Sequence, residues 1–388
     1  MALAGCLALG IAASPAGSAG AGTIAIGSTG PFTVAGAPAD VLRGEEAYFR
    51  FVNARGGVNG RQIDFDLIDD GGDAAKAAAN AHRLIERDGV FALFSVVGSE
   101  ASLSVRDVAA AAHVPEVFSA ATARALGSPS TGSLATGYPP SEFEVAEIYA
   151  QHLLTTDRTH AKVGVLYAEG VDGQDALAGF RQGLGKQGGA LLTASESVGS
   201  TATDVTAALQ RLQASGANTL ALFVPGRLVL AAYPELAAIG WQPQVYVGTA
   251  GTGTPFSQLT SAPTAEGSIS ALWARDPATA RFARDPGARL ARQILARYGT
   301  GSCNGVVVAG MAAAFSFVDA LKGAGATPTR TSLLASIAGL NEVSNPFLVP
   351  GVEVHMAAGH RFPVTQLVLV RRQAGRWVPF GGIQSAAT

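Results

Sequence analysis

The chain has 388 residues, with 27 basic against 29 acidic side chains and a formal net charge of −2. That length fits two domains better than one, and 48% hydrophobic with 14% charged residues supports a sizeable core and excludes a disordered chain. The near-neutral balance leaves no basic footprint, which argues against a nucleic-acid partner, and no uninterrupted apolar run approaches the roughly 18 residues needed to cross a bilayer.

Residues 1–22 are rich in Ala, Gly and Leu, lack a helix-face period, and end in Ala19-Gly20-Ala21, a small-residue cleavage pattern. Leu3-Ala4-Gly5-Cys6 also has the form of a lipobox, whose cysteine is lipidated after cleavage. The expectation is export to the periplasm, free or anchored through Cys6. No basic segment precedes either signal, so the start reads as truncated. Cys303 is the other cysteine, and it reads as a small apolar residue near a helix start.

From Thr23 the chain alternates strand and helix. The predicted first series of strands is Thr23–Gly27, Ile63–Ile68, Val90–Val96 and Val114–Phe118. Between the first two, Val41, Gly44, Tyr48, Phe51 and Val52 share one face of a helix, and Gly56-Gly57 stops it. Asn59-Gly60 then turns the chain into Ile63, Phe65 and Leu67, which alternate as a strand. Leu84 and Ile85 close a further amphipathic helix before Asp88-Gly89. A Gly/Pro/Ser-rich stretch, Gly127–Ser141, divides this series from a second one. The second comprises Lys162–Tyr167, Ala190–Thr193, Thr219–Val224 and Gln244–Val247, with a helix after Thr203-Asp204 built on Val205, Ala208, Leu209 and Leu212. Residues 277–340 turn mostly helical, with Gly305–Lys322 one long apolar segment, and Val364–Arg371 and Arg376–Phe380 close the chain as strands. Strands alternating with helices imply βαβ units and parallel sheets, hence two α/β lobes.

Enzyme signatures fail in turn. Gly183-Leu-Gly185-Lys-Gln-Gly188 has dinucleotide-loop spacing but follows a helix and precedes a strand, the reverse of what pyrophosphate binding needs. No phosphate loop, nucleophile elbow or zinc-protease motif is present. His355 and His360 are too irregularly placed for a metal pair and read as surface imidazoles. No catalytic residue, cofactor or metal is expected. The informative loops follow strands: Val97-Gly98-Ser99-Glu100-Ala101-Ser102 opens a helix, and Ser119-Ala120-Ala121-Thr122 follows the next strand. Two readings of Ser99 stand, an ordinary N-cap or an anion site at a helix N-terminus.

The opening Arg43–Asp70 unit, Gly27-Ser-Thr-Gly-Pro31, Tyr167-Ala-Glu-Gly-Val-Asp-Gly173, Gly240-Trp241-Gln-Pro243 and Pro350-Gly-Val352 together resemble the Leu/Ile/Val-binding proteins, the periplasmic receptors of branched-chain amino-acid ABC transporters. The resemblance spans nearly all of residues 23–380. It implies two doubly wound parallel-sheet lobes joined by three crossovers, near Gly137, Leu272 and Ala358–Arg361. The implied division is 23–137 plus 273–360 for the first lobe and 138–272 plus 361–388 for the second. It also implies that Ser99, Ala120 and Thr122 hold a ligand's carboxylate and ammonium groups.

The family acid that neutralises the ammonium aligns with Ala250, and two family tyrosines align with Asp172 and approximately Pro225. The cysteine pair of some members falls at Gly72 and Gly98, so that disulfide is absent. Asp172, Glu169 and Glu100 are candidate replacement acids, each with a plain alternative: Asp172 as a helix cap, the two glutamates as solvated. Tyr167 and Phe32 suit an apolar ligand body or simple lobe packing. The resemblance therefore implies a monomeric receptor that delivers an amino acid or amino-acid-like organic acid to ABC permease subunits. The alternatives are a receptor for an aromatic acid or amide lacking an amine, and a ligand-sensing regulator of the same fold.

Overall fold

The computed structural model describes residues 22–33, 37–127, 135–199, 201–249, 263–357 and 359–386. Cys6 and Ala250 lie outside these residues. The first sheet contains β1 (Ile24–Gly30), β2 (Ile63–Asp69), β3 (Ala92–Phe94), β4 (Glu116–Ser119) and β5 (Ala135–Gly137) in the order β2-β1-β3-β4-β5. All its pairings are parallel, with Ile24 opposite Ile63 and Gly30 opposite Asp69.

The second sheet begins with β6 (Val163–Ala168), β7 (Leu192–Val198), β8 (Thr219–Phe223), β9 (Gln244–Val247) and β10 (Ile269–Leu272), which run β10-β9-β8-β6-β7 and are parallel throughout. Each lobe thus repeats one doubly wound arrangement, with its order reversing beside the first strand of the series. That switch point leaves an opening at the strand C-termini. After a short antiparallel pair, β11 (Asn341–Glu342) and β12 (Val354–His355), the strands β13 (Gln366–Gln373) and β14 (Arg376–Ser385) extend the second sheet as an antiparallel edge hairpin.

The first lobe is assembled as its opening segment dictates. Gly56 and Gly57 take φ of 99° and 73°, ending the helix Ala37–Asn53, and Asn59 and Gly60 take 51° and 80° in the turn beyond it. This helix crosses Gly305–Gly323 at backbone contact. A Cβ on Gly44 would stand 2.0 Å from the Val307 carbonyl oxygen, and one on Gly310 would stand 2.1 Å from that of Val41. Tyr48, Phe49, Phe94, Met311 and Phe317 pack around the crossing. The helix Gly305–Gly323 is apolar enough by length and composition to cross a membrane, but 72% of its apolar window is buried in this core.

The chain passes from the first sheet to the second through Tyr138–Ser141, returns through Trp273–Arg275, and passes again ahead of β13. Phe362 on the third passage lies against Gly137 at the first, where a Cβ would stand 2.1 Å from its ring. His360 Nε2 on the same passage meets Glu144 Oε1 at 3.1 Å, and that carboxylate raises the imidazole's pKa. His360 is therefore a half-buried partner of the second lobe and not the free surface imidazole expected. Three further features differ from or add to what the sequence predicts. Residues 188–191 form a helical turn before β7, because glycines precede the first β-favouring residues. β5 and β10 are strands that the patterning did not single out. The last two strands are antiparallel because a tight turn at Ala374-Gly375, both at positive φ, joins them directly.

Candidate functional site

A cavity of about 480 Å³ opens between the lobes. Its first-lobe wall comes from the helix Ala37–Asn53 (Val41, Glu45), the ends of β3 and β4 (Ser95, Phe118, Ala120, Thr122) and the helix Gly305–Gly323 (Val306, Ala309, Ala313). Its second-lobe wall comes from Ala168, Gly170 and Asp172 after β6, Phe223 to Pro225 after β8, and Gly248 and Thr249 after β9. The crossovers supply Tyr138, Pro139, Leu272, Trp273 and Ala274. Phe118, Tyr138 and Trp273 form a continuous aromatic surface, with centroids 5.3 and 6.0 Å apart in edge-on contact.

The backbone is strained where that surface is held. Ser95 and Phe118 both sit at φ of 55°, the left-handed region that side chains disfavour, and both line the cavity. The Phe118 amide donates to Thr136 Oγ1 at 2.9 Å, and the Ser28 hydroxyl donates to the Ser95 carbonyl at 2.8 Å. These contacts hold conformations that an unsupported chain would leave.

Ser99 is the first residue of the helix Ser99–Ala111, and its N-cap is Gly98, so Ser99 is not the N-cap. Ser99 Oγ accepts the amides of Thr122 and Ala123, both at 3.0 Å, and donates to Asp172 Oδ1 at 2.5 Å. Thr122 Oγ1 donates to the same oxygen at 2.7 Å. Asp172 belongs to the second lobe, so this is a bond across the cleft. Two more contacts follow the same seam: the Val171 amide donates to Glu100 Oε1 at 3.2 Å, and the Arg124 amide donates to Asp175 Oδ2 at 2.7 Å. Carboxylates thus lie between two facing helix N-termini, whose partial positive charges would otherwise repel. Burial pushes the Asp172 pKa up, and the two hydroxyl bonds hold it back.

A model of the periplasmic binding protein family matches residues 23–376. The chain belongs to that family. It is a non-catalytic periplasmic solute-binding protein of the kind that serves ABC transporters, with a small organic ligand and permease subunits as its partners. A search of curated proteins finds no match to the sequence. Among solved structures, the binding protein is similar to a branched-chain amino-acid ABC transporter protein from Thermus thermophilus with bound valine, at TM-score 0.82 and 20% identity over 94% of this chain and 97% of that one. It is also similar to a fatty acid ABC transporter substrate-binding protein from Thermomonospora curvata, at TM-score 0.77 and 19% identity, covering 94% and 92%. A solute-binding protein from R. palustris in complex with benzoate gives TM-score 0.77 and 17% identity, covering 94% and 97%.

Of the residues expected at the binding site, Ala120, Thr122 and Asp172 line the cavity, and Ser99 stands directly behind them. Ala120's carbonyl is already taken by the Gly98 amide at 3.1 Å. Phe32 and Tyr167 are not on the cavity wall. The ring of Phe32 folds back over Gly30, and strand alternation in β6 turns Tyr167 into the helical layer around Tyr149 and Phe180. Glu169 is exposed beside Ser197 and is not a cavity acid. Cys303 packs beside the first core, and burial pushes its thiol up to about 11.

Glu45, Glu142 and Trp273 line the site without having been anticipated. Glu45 was findable, because it lies four residues after Val41 and three before Tyr48, a carboxylate in register with an apolar stripe. Among the described residues no group of three or more His, Cys, Asp or Glu is placed to hold a metal ion.

Proposed function

We propose that the binding protein captures a small solute with an apolar or aromatic body, closing both lobes over it before the permease reads the closed form. The observation that carries this is the cavity itself. Its volume of about 480 Å³ suits a compact organic molecule, and Phe118, Tyr138, Trp273, Phe223 and Leu272 give it an apolar lining. Valine, a fatty acid and benzoate, named with the similar structures, share such a body. Ligand burial between the lobes, with hinging at the crossovers, is how a cleft of this kind couples capture to a change of shape.

The test is a thermal-shift screen of the full chain against apolar amines, carboxylic acids, amides and amino acids. A ligand bound only by the folded state at 100 times its Kd adds about 2.7 kcal/mol of stability. A clear rise in Tm is expected for at least one class, with quenching or enhancement of Trp273 fluorescence. A screen without any shift counts against a solute receptor.

A further inference from the structure

The polar side chains of the cavity wall are bonded to one another and not left open for a ligand. Ser95, Thr122, Tyr138 and Thr249 are its side-chain hydroxyls, and each donates within the protein. Ser95 donates to Glu45 Oε1 at 2.5 Å, Thr122 to Asp172 Oδ1 at 2.7 Å, Tyr138 to the Ala312 carbonyl at 2.9 Å and Thr249 to Glu142 Oε1 at 2.8 Å. The acids on the wall are engaged in the same way. Asp172 and Glu142 accept these hydroxyls, Glu100 accepts the Val171 amide, and Glu45 is fully buried, where desolvation favours its neutral form.

A charged solute meets no counterpart in such a lining. Among the described residues no Lys, Arg or His lines the cavity. The remaining segments, 1–21, 34–36, 128–134, 200, 250–262, 358 and 387–388, contain no Lys, Arg, His, Asp or Glu. The Ser99 and Thr122 hydroxyls would suit a ligand carboxylate, yet both donate to one oxygen of the protein's own Asp172, at 2.5 and 2.7 Å. An acid would have to displace Asp172 and then lie among carboxylates with no cation to offset them. An ammonium would find those carboxylates already partnered by hydroxyls and amides, or buried. Enclosing either ion without a matched partner is costly.

Resting on the receptor reading above, we infer that the solute is uncharged, a compact molecule with an apolar or aromatic body and a neutral polar group such as an amide or alcohol, and that Asp172 is the residue that turns carboxylates away. The body packs against Phe118, Tyr138 and Trp273 on one side and Phe223 and Leu272 on the other, so burial of apolar surface carries the affinity. Asp172 serves two ends with one side chain: it ties the lobes together and fills the place an acid would take.

The experiment uses the full chain and two matched sets of probes, followed by calorimetry and thermal shift. One set is 3-phenylpropanamide, 3-phenylpropanoate and 3-phenylpropylamine; the other is 4-methylpentanamide, 4-methylpentanoate and 4-methylpentylamine. In a set that binds, the amide is expected to bind at least about ten-fold more tightly than both charged members, the difference one charge-assisted hydrogen bond makes. Asp172→Asn keeps an oxygen for the Ser99 and Thr122 hydroxyls and removes the charge beside them. It is expected to narrow the preference for amide over acid by about ten-fold. That ratio is read within one variant, so a general loosening of the fold, which weakens both probes together, leaves it where it was. Should the variant fail to fold, the wild-type comparison decides the charge of the solute. The inference is overturned, and the receptor reading kept, if an acid or an amine binds wild type within about ten-fold of its amide, or if Asp172→Asn leaves the preference unchanged. A panel in which nothing binds overturns both.

Discussion

Two acidic residues line the cleft, one from each lobe, and meet opposite fates. Asp172, on the second lobe, has an oxygen filled by two hydroxyls of the first lobe. Glu45, on the first lobe, has one oxygen filled by Ser95 and one with no partner. Both pKa values are raised, in each case chiefly by burial; Ser95 opposes the rise at Glu45 and Glu46 adds to it. Desolvation alone therefore does not separate them. Partnership does. Asp172 is a satisfied carboxylate that spans the lobes, whereas Glu45 keeps a bare oxygen packed within its own lobe.

The largest expected effect comes from removing the satisfied member. Asp172→Ala frees the Ser99 and Thr122 hydroxyls at the N-terminus of the helix Ser99–Ala111. A carboxylic acid such as 3-phenylpropanoate should then gain about one to two decades of affinity, the equivalent of about 1.5–3 kcal/mol for a hydrogen bond to a charged group. The unliganded variant should also scatter X-rays as a more open particle, because the seam has lost its central bond. Unchanged acid affinity would mean that Asp172 does not occupy a ligand's place, and the contrast between the two carboxylates would lose one side.

The same residues show how far this site was legible in the sequence. The alternation of strand and helix, the turn at Asn59-Gly60 and the pairing of the loops at Ser99 and Thr122 are local patterns, and each is in the fold. β5 was hidden because Ala135–Gly137 is three residues without a β-branched run, inside a Gly/Pro/Ser-rich stretch. Phe32 and Tyr167 leave two readings open in the sequence, because it shows an aromatic residue near a strand end but not which way its ring turns. Glu45 was overlooked for the opposite reason: a charge within a helix stripe is ordinarily solvated, and only the helix Gly305–Gly323 and β3 packing around it make it buried. Asp172's bond to Ser99 joins residues 73 apart across two lobes, which no local pattern encodes.

A middle-sized effect sharpens the comparison by supplying a control. Glu116 on β4 is also fully buried with one bare oxygen, while its other oxygen accepts the Ser119 hydroxyl at 2.7 Å, but it does not line the cavity. A bare oxygen away from the cavity should cost stability and have no bearing on the ligand. Burial pushes the Glu116 pKa up to about 8 from the ordinary 4.5. The folded protein thus holds a proton that the unfolded chain releases, so stability is greatest below the unfolded pKa and falls as pH rises through the folded value. Tm should decline between about pH 5 and pH 8, and each kcal/mol lost is worth about 2–4 °C in a domain of this size. Glu116→Gln should flatten that decline and leave ligand affinity alone. An altered ligand preference in this variant would show that bare buried carboxylates influence binding wherever they lie.

The smallest effect tests whether position on the seam matters as much as spanning it. Glu100 bridges the lobes as Asp172 does, accepting the Val171 amide at 3.2 Å, but its side chain is exposed. Water can replace an exposed acceptor at almost no cost, and surface substitutions away from buried networks usually fall within about 0.5 kcal/mol. Glu100→Ala should therefore change ligand affinity by no more than about two-fold and leave the scattering profile as it was. A loss of about ten-fold or more would mean that this exposed carboxylate at the cavity rim contacts the ligand directly.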